Sequence, residues 1–319
     1  MNKEIKTINQ ASIANDKDWI LDYLNNSEIS KINKKYFKGA LKNSIKYNRE
    51  DIFYLLFEFN EKHKIINNSD IFFDLLTISC DNDYTKYLVF LKNKLPFKCL
   101  LIENKNKYFH CIQNLLTNTI KNNSLKALKF LLTDNNQIIK DVLNYKTSNL
   151  TYNNYFKSLF QLSCSISKIA IVKYLFEFDI IKKCKDSDFF FDSLFKSITN
   201  NKLNTSKFLY KKINLYEKDI ITLMQLSIKK RSYNFFKFLL KNNQEIELNN
   251  KETTKSVCHL ITQISIYYKK NFEKDCQFIQ YLVESNIHFD FSEVIKYSKN
   301  KYTYEKLNLI LIQQKIKEF

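Results

Sequence analysis

The chain has 319 residues, 45% of them hydrophobic, and a formal net charge of +18 at pH 7 from 51 Lys and Arg against 33 Asp and Glu. The apolar fraction is too high for a disordered chain. A single glycine and a single proline argue against strands joined by tight turns and exclude glycine-rich phosphate loops, nucleophile elbows and dinucleotide-binding fingerprints. We therefore expect an all-α protein.

A seven-residue motif recurs along the chain and predicts the first helix of a repeated unit. Its apolar residues fall three and four positions apart, as on one face of a helix. Its sixth residue is Ser or Thr in seven of the eight copies. In chain order the copies are TINQASI from Thr7, GALKNSI from Gly39, DLLTISC from Asp74, NLLTNTI from Asn114, SLFQLSC from Ser158, DSLFKSI from Asp192, TLMQLSI from Thr222 and SVCHLIT from Ser256.

A second motif, in which Phe or Tyr precedes Leu, follows each copy and predicts the second helix of the unit. Counted from the small polar residue, its leucine lies 12 residues on in five of the first seven units, 11 in the second and 9 in the third. Asn is common in the turn between the two helices and, after Gly, best accepts the left-handed conformation that ends a helix. The predicted leucines are Leu24, Leu55, Leu88, Leu131, Leu175, Leu209, Leu239 and Leu282.

A single helix pair of this length cannot bury its apolar faces, so we expect the pairs to stack. We predict one α-solenoid domain of about eight helix-turn-helix pairs over residues 1–319. Aromatic pairs preceded by Asp or Asn predict where first helices begin, with N-caps at Asn33, Asp70, Asn106, Asn154 and Asp188. The predicted units are 1–35, 36–69, 70–106, 107–152, 153–187, 188–218, 219–253 and 254–290, with a C-terminal cap at 291–319.

The repeated unit resembles a divergent ankyrin repeat. In that family a Thr-Pro-Leu-His-x-Ala-Ala stretch opens the first helix and a Val-x-x-Leu-Leu stretch lies in the second; TLMQLSI and FFKFLL stand in those places here. Proline is missing from every first-helix motif, and Ser or Thr replaces the family's alanine. The resemblance covers nearly the whole chain. It implies a helical solenoid that contacts other proteins and carries no catalysis.

The positive charge leaves two classes of partner open. Only Arg49 and Arg231 are arginines, and all the other basic residues counted in the charge are lysines. Base readout and phosphate clamping favour the bidentate guanidinium group, so a lysine-only surface is a weak sign of nucleic-acid binding. We favour a solvated lysine surface and an unidentified protein partner. The alternative is an RNA- or DNA-binding helical-repeat protein that uses its lysine-rich surface.

Reactive residues are few and scattered. Seven cysteines without CxxC spacing and four dispersed histidines indicate neither a disulfide framework nor a metal site. The adjacent pairs His110–Cys111 and Cys258–His259 point about 100° apart on a helix, so neither can supply a base and its nucleophile. We predict no catalytic, cofactor-binding or metal-binding residue. Without a signal-peptide run or an apolar stretch of about 18 residues, we expect a monomeric cytoplasmic protein that does not contact membranes.

Two columns of the first helix are candidates for a binding surface. In the ankyrin family the fourth motif position leans toward the concave face and the linking loops, and here it holds Gln10, Lys42, Thr77, Thr117, Gln161, Phe195, Gln225 and His259. For this column we favour a hydrogen bond to the loop over a binding role. The first position and its predecessor supply further candidates. The predicted partner-binding residues are Lys38, Lys42, Asp74, Lys157, Gln161, Asp192, Thr222 and Gln225. We expect a non-enzymatic interaction scaffold or adaptor.

Overall fold

A computed structural model of the chain describes residues 7–94, 105–134, 152–184, 186–243 and 272–284. Every regular element within these ranges is a helix, and no strand occurs among them, so the predicted all-α class is confirmed for this part of the chain. The chain divides into two compact units, each described separately below. The first comprises Met1–Ser163 and Ala170–Lys182, and the second comprises Cys164–Ile169 and Lys183–Phe319.

The helices of residues 7–134 all belong to the first unit. They are α1 (Ile8–Ala14), α2 (Lys17–Asn26), α3 (Lys34–Lys46), α4 (Glu50–His63), α5 (Asn68–Asp81), α6 (Thr85–Lys94), α7 (Lys105–Lys121) and α8 (Leu125–Lys129), with a 3₁₀ turn at Ile29–Lys31 and a π-helical turn at Phe130–Asp134. Three helices lie between residues 152 and 182 and span both parts of the division. They are α9 (Tyr152–Ile166), α10 (Ile169–Phe176) and α11 (Asp179–Lys182).

The helices of the first unit form two rows. Each odd-numbered helix contains a seven-residue motif, and α1 packs on α3, α3 on α5, and α5 on α7. Each of the helices α2, α4, α6 and α8 packs on the first helix of its own pair, and α2 also packs on α4 and α6 on α8. On α9, the Tyr155 hydroxyl donates to the main-chain oxygen of Gln113 on α7 at 3.0 Å, and burial raises the pKa of Tyr155 to about 12.

The second unit repeats this arrangement. Its further helices are α12 (Ser187–Thr199), α13 (Leu203–Tyr210), α14 (Glu217–Lys229), α15 (Tyr233–Asn242) and α16 (Phe272–Glu284). Helix α12 packs on α13 and on α14, while α15 packs on α14 and on α13. First helices therefore contact first helices, and second helices contact second helices, within this unit as well.

The small polar residue of the seven-residue motif is buried in every described pair. Its hydroxyl donates to a main-chain carbonyl, in most copies one three or four residues earlier in its own helix, as from Ser44 to Leu41 and from Ser79 to Leu75, both at 2.7 Å. The site is too enclosed for a large side chain, and the hydroxyl is satisfied without water. The residues, each 0% exposed, are Ser12, Ser44, Ser79, Thr119, Ser163, Ser197 and Ser227.

The second motif keeps a constant distance from this column, which corrects the prediction in two units. Leu56, not Leu55, is fully buried 12 residues after Ser44, and Leu91 is fully buried 12 residues after Ser79. Because the same count holds elsewhere, one leucine per pair closes the core at the same height on the second helix. These buried leucines are Leu24, Leu56, Leu91, Leu131, Leu175, Leu209 and Leu239.

The turn between the two helices closes without glycine. Four residues after the Ser or Thr of the column, a residue adopts the left-handed conformation, and the next N–H donates back to the carbonyl of that Ser or Thr, as from Arg49 to Ser44 (2.6 Å) and from Lys202 to Ser197 (2.8 Å). This is the Schellman closure of a helix. The prediction for Asn is confirmed in three of these turns. The left-handed residues are Asn48, Asp83, Asn123, Asn201 and Arg231.

The N-cap predictions are confirmed only at Asn33. Its side chain accepts from the N–H groups of Lys35 (3.0 Å) and Tyr36 (3.3 Å). The other four lie inside helices that begin earlier, because the first helices start before the aromatic pairs by more than the sequence pattern indicates. At α12 the cap is Asp186, which accepts from the Phe189 N–H at 3.0 Å. The four misplaced caps are Asp70, Asn106, Asn154 and Asp188.

Candidate protein-binding surfaces

Three predicted residues meet on neighbouring first helices of the first unit. The ammonium groups of Lys38 and Lys42, both on α3, lie 2.9 and 3.4 Å from a carboxylate oxygen of Asp74 on α5. Burial alone would raise the pKa of Asp74, but the two ammonium groups outweigh it, and the pKa lies below its usual value. All three side chains stay about 40% exposed. They form a charged surface spot with one net positive charge.

The single glycine of the chain lies where α1 and α3 approach most closely in sequence register with this spot. The side-chain amide of Asn43 donates to Oδ1 of Asn9 at 2.7 Å. A Cβ on Gly39 would stand 2.8 Å from that same oxygen. Glycine at this position therefore leaves room for a polar contact between two first helices.

The remaining predicted residues do not join this spot in one described cluster. Lys157 and Gln161, half-buried, lie on α9 in the first unit, while Asp192 on α12 and Thr222 and Gln225 on α14 lie in the second. The Thr222 hydroxyl donates to the Lys218 carbonyl one turn earlier, at 2.8 Å. In the fourth column, Thr77 likewise donates to Phe73 within its own helix at 2.7 Å. His259 lies outside the described residues.

Lysines of the second-helix motif contact aromatic rings in the next copy of that motif. The ammonium of Lys129 lies 5.6 Å from the ring centre of Tyr174, that of Lys207 5.4 Å from Phe238, and that of Lys237 4.1 Å from Tyr281. These are cation–π distances. Part of the lysine excess thus stabilises the packing of successive pairs, a role that the sequence pattern did not reveal.

A buried carboxylate in the second unit was not predicted. Nε of Arg231 lies 3.2 and 3.1 Å from the two carboxylate oxygens of Asp275 on α16, and the Tyr233 hydroxyl donates to the first of them. The Asp275 side chain is 3% exposed. Burial, together with the hydrogen bond to Asp275, raises the pKa of Tyr233 well above its usual range. The one signal in the sequence was an arginine where almost every other cation is a lysine.

A groove of roughly 330 Å³ opens beside this ion pair. Its walls come from α15, from the residues just before α15, and from the first two turns of α16. The Tyr233 and Phe278 rings stack inside it, with centroids 4.0 Å apart and planes 9° apart. The lining residues are Arg231, Tyr233, Asn234, Lys237, Lys274, Gln277 and Phe278.

The described residues show no grouping of three or more His, Cys, Asp or Glu side chains that could hold a metal ion. Within the same residues, no helix is both long and apolar enough to cross a membrane. Cys80 and Cys164 are buried free thiols, and burial raises the pKa of the Cys80 thiol well above its usual value. Comparison of the chain with protein-family models, curated proteins and solved structures finds no match.

Proposed function

We propose that this chain is an ankyrin-like α-solenoid of about eight helix pairs that serves as a non-enzymatic scaffold for protein–protein interaction. The observation that carries the proposal is the row of first helices, in which α1, α3, α5 and α7 pack side by side. Stacked repeats of this kind offer an extended surface, and binding is their usual use. The partner contacts the exposed side of the first helices.

The spot formed by Lys38, Lys42 and Asp74 is the proposed contact in the first unit. Its charges are fixed by mutual ion pairs at 2.9 and 3.4 Å, so little side-chain freedom is lost when a partner binds there. Exposed ion pairs contribute little to stability, a median of about 0–1 kcal/mol. Their placement on adjacent first helices therefore fits a recognition role better than a stabilising one.

The arrangement of the lysines favours a protein partner over nucleic acid. Lys129, Lys207 and Lys237 lie over aromatic rings, and Lys38 and Lys42 pair with Asp74. A nucleic-acid surface needs cations that are available to phosphates. The engaged lysines lie on first helices and on second helices, so they do not define one basic face.

A matched pair of surface variants tests the proposal. The triple variant Lys38→Ala, Lys42→Ala, Asp74→Ala removes the first-helix spot. The control variant Glu61→Ala, Lys94→Ala removes an ion pair of similar exposure, 2.8 Å long, between two second helices. Each tagged protein captures partners from a lysate of the source cells, and quantitative mass spectrometry compares them after circular dichroism has confirmed equal folding.

We expect the triple variant to lose specific partners by about tenfold or more, since tenfold corresponds to about 1.4 kcal/mol of binding free energy. The control should retain them within about twofold. Equal capture by the wild type and the triple variant would contradict the assignment of the surface. A captured set made of nucleic-acid-dependent proteins, lost on nuclease treatment, would contradict the protein-scaffold function itself.

A further inference from the structure

We propose that the groove between α15 and α16 binds an acidic segment of a partner protein. This inference rests on the proposed scaffold function and adds the chemistry of one partner. It concerns a surface of second helices, separate from the spot on α3 and α5. Three features of the groove carry it: its charge, the way its buried carboxylate is neutralised, and the state of its aromatic rings.

The lining of the groove is basic. Three lining residues, Arg231, Lys237 and Lys274, are cationic, and none carries a carboxylate. Two neutral amides, Asn234 and Gln277, complete the polar part of the wall. Ammonium groups and side-chain amide N–H groups are donors that suit carboxylate oxygens.

The nearby acid does not oppose a negatively charged ligand. Asp275 is 2% exposed and takes hydrogen bonds from Arg231 and Tyr233. The Arg231 charge is thereby spent on Asp275, which leaves Lys237 and Lys274 as the net charge of the groove. A group of two positive charges is complementary to a segment with two or more carboxylates.

The aromatic rings favour a peptide over a nucleic acid. Bases bind single rings by stacking on an open face. Here Tyr233 stacks on Phe278, Phe278 is 2% exposed, and Lys237 covers the ring of Tyr281. The remaining ring edges offer apolar contact for a side chain such as Leu between the acidic residues. A volume of roughly 330 Å³ accommodates a few side chains and not a folded domain.

Fluorescence anisotropy of a labelled peptide, Ala-Glu-Glu-Leu-Glu-Glu, measures this binding on the whole 319-residue chain. The salt concentration is held at about 0.15 M, where the Debye length is about 8 Å and long-range charge effects are screened. The groove variant is Lys237→Glu, Lys274→Glu. The control, Lys218→Glu, Lys241→Glu, changes the charge by the same amount at two exposed lysines on α14 and α15 outside the groove. A milder single variant, Lys274→Gln, keeps the test valid if the double variant unfolds.

We expect the groove variant to bind the peptide at least about tenfold more weakly and Lys274→Gln about threefold more weakly, with the control within twofold of wild type. Equal weakening in the groove and control variants would overturn the proposal, because diffuse charge would then explain the binding. Absence of peptide binding to the wild type would also overturn it. A ten-residue oligo-dT probe that binds the groove more tightly than the peptide would overturn it in favour of nucleic acid.

The triple variant at Lys38, Lys42 and Asp74 separates this inference from the scaffold proposal. It should bind the acidic peptide as the wild type does, because its changes lie in the other compact unit. If the peptide test fails while the triple variant still loses partners from lysate, only the groove assignment is wrong.

Discussion

The Ser12 hydroxyl donates to the main-chain oxygen of Ala40, 2.9 Å away and 28 residues along the chain. The other serines of the same buried column mostly bond within their own helix, as Ser79 bonds to Leu75. A single position in the repeat is therefore used in two ways: as a link between two first helices at Ser12, and as a small internally satisfied residue at Ser79.

Alanine substitutions should distinguish these two uses. In Ser79→Ala the Leu75 carbonyl keeps its helical partner, so we expect a change in unfolding free energy within about 0.5 kcal/mol. Ser12→Ala removes a bond between pairs and should cost about 1 kcal/mol. Ser79→Leu overfills the site and should cost about 1–3 kcal/mol. Urea unfolding followed by circular dichroism measures all three, and a costly Ser79→Ala would show that the hydroxyl is needed.

Gly39 and Asn9 should be energetically coupled. Alanine is favoured over glycine in a helix by about 1 kcal/mol, but its Cβ would stand 2.8 Å from Oδ1 of Asn9 and disturb the bond to Asn43. We expect Gly39→Ala to stabilise the Asn9→Ala protein and to be about 1 kcal/mol less favourable in the wild type. A double-mutant cycle by chemical unfolding gives the coupling, and additive effects would contradict it.

Lys64 should be a site where glycine stabilises. It ends α4 with φ of 53°, and its N–H donates to the Asn60 carbonyl at 2.8 Å, a bond that glycine retains. Glycine adopts this conformation without a Cβ penalty, so Lys64→Gly should raise the unfolding free energy by about 0.5–1 kcal/mol. The control Lys62→Gly, within the same last turn, should lower it by about 1 kcal/mol. Thermal unfolding compares the two, and loss of stability in both would count against a left-handed Lys64.

Acid should weaken the ion pairs of Asp74. Because its folded-state pKa lies below the usual value, its contribution is present above the unfolded pKa of about 3.9 and is lost as the pH falls through the folded pKa. Asp74→Asn should therefore lose less stability than wild type between about pH 5 and pH 2, by less than about 1 kcal/mol because the pairs are exposed. The double variant Lys38→Met, Lys42→Met should behave like Asp74→Asn. A wild-type acid response in that variant would show that the lysines are not the cause.

Binding to a random oligonucleotide should be weak and non-selective. With many lysines held by rings and carboxylates, we expect a Kd no tighter than the non-specific range of about 10⁻⁴ to 10⁻⁶ M near physiological salt. Titration at several salt concentrations gives the slope, and each phosphate contact contributes about 0.7–0.9 log units. Submicromolar, sequence-selective binding under these conditions would favour the nucleic-acid alternative.

The regular parts of the fold were predictable because they repeat. Ser44 and Ser79 were identified correctly, yet the leucines paired with them were misplaced, since YLLFEF and YLVFL each offer two candidates and only packing selects Leu56 and Leu91. The Lys38–Asp74 contact followed from columns on adjacent helices. The pair of Arg231 and Asp275 could not be foreseen, because an interval of 44 residues and of irregular length separates them.

The hydrogen bonds between neighbouring pairs span short stretches of chain, from 28 residues for Ser12 and Ala40 to 44 for Arg231 and Asp275. The entropy cost of closing a loop grows only with the logarithm of its length, and contacts that are local in sequence speed folding. Order can therefore nucleate at any pair that has a neighbour and spread stepwise along the chain. During synthesis, each pair can dock on the preceding one as soon as its second helix has left the ribosome.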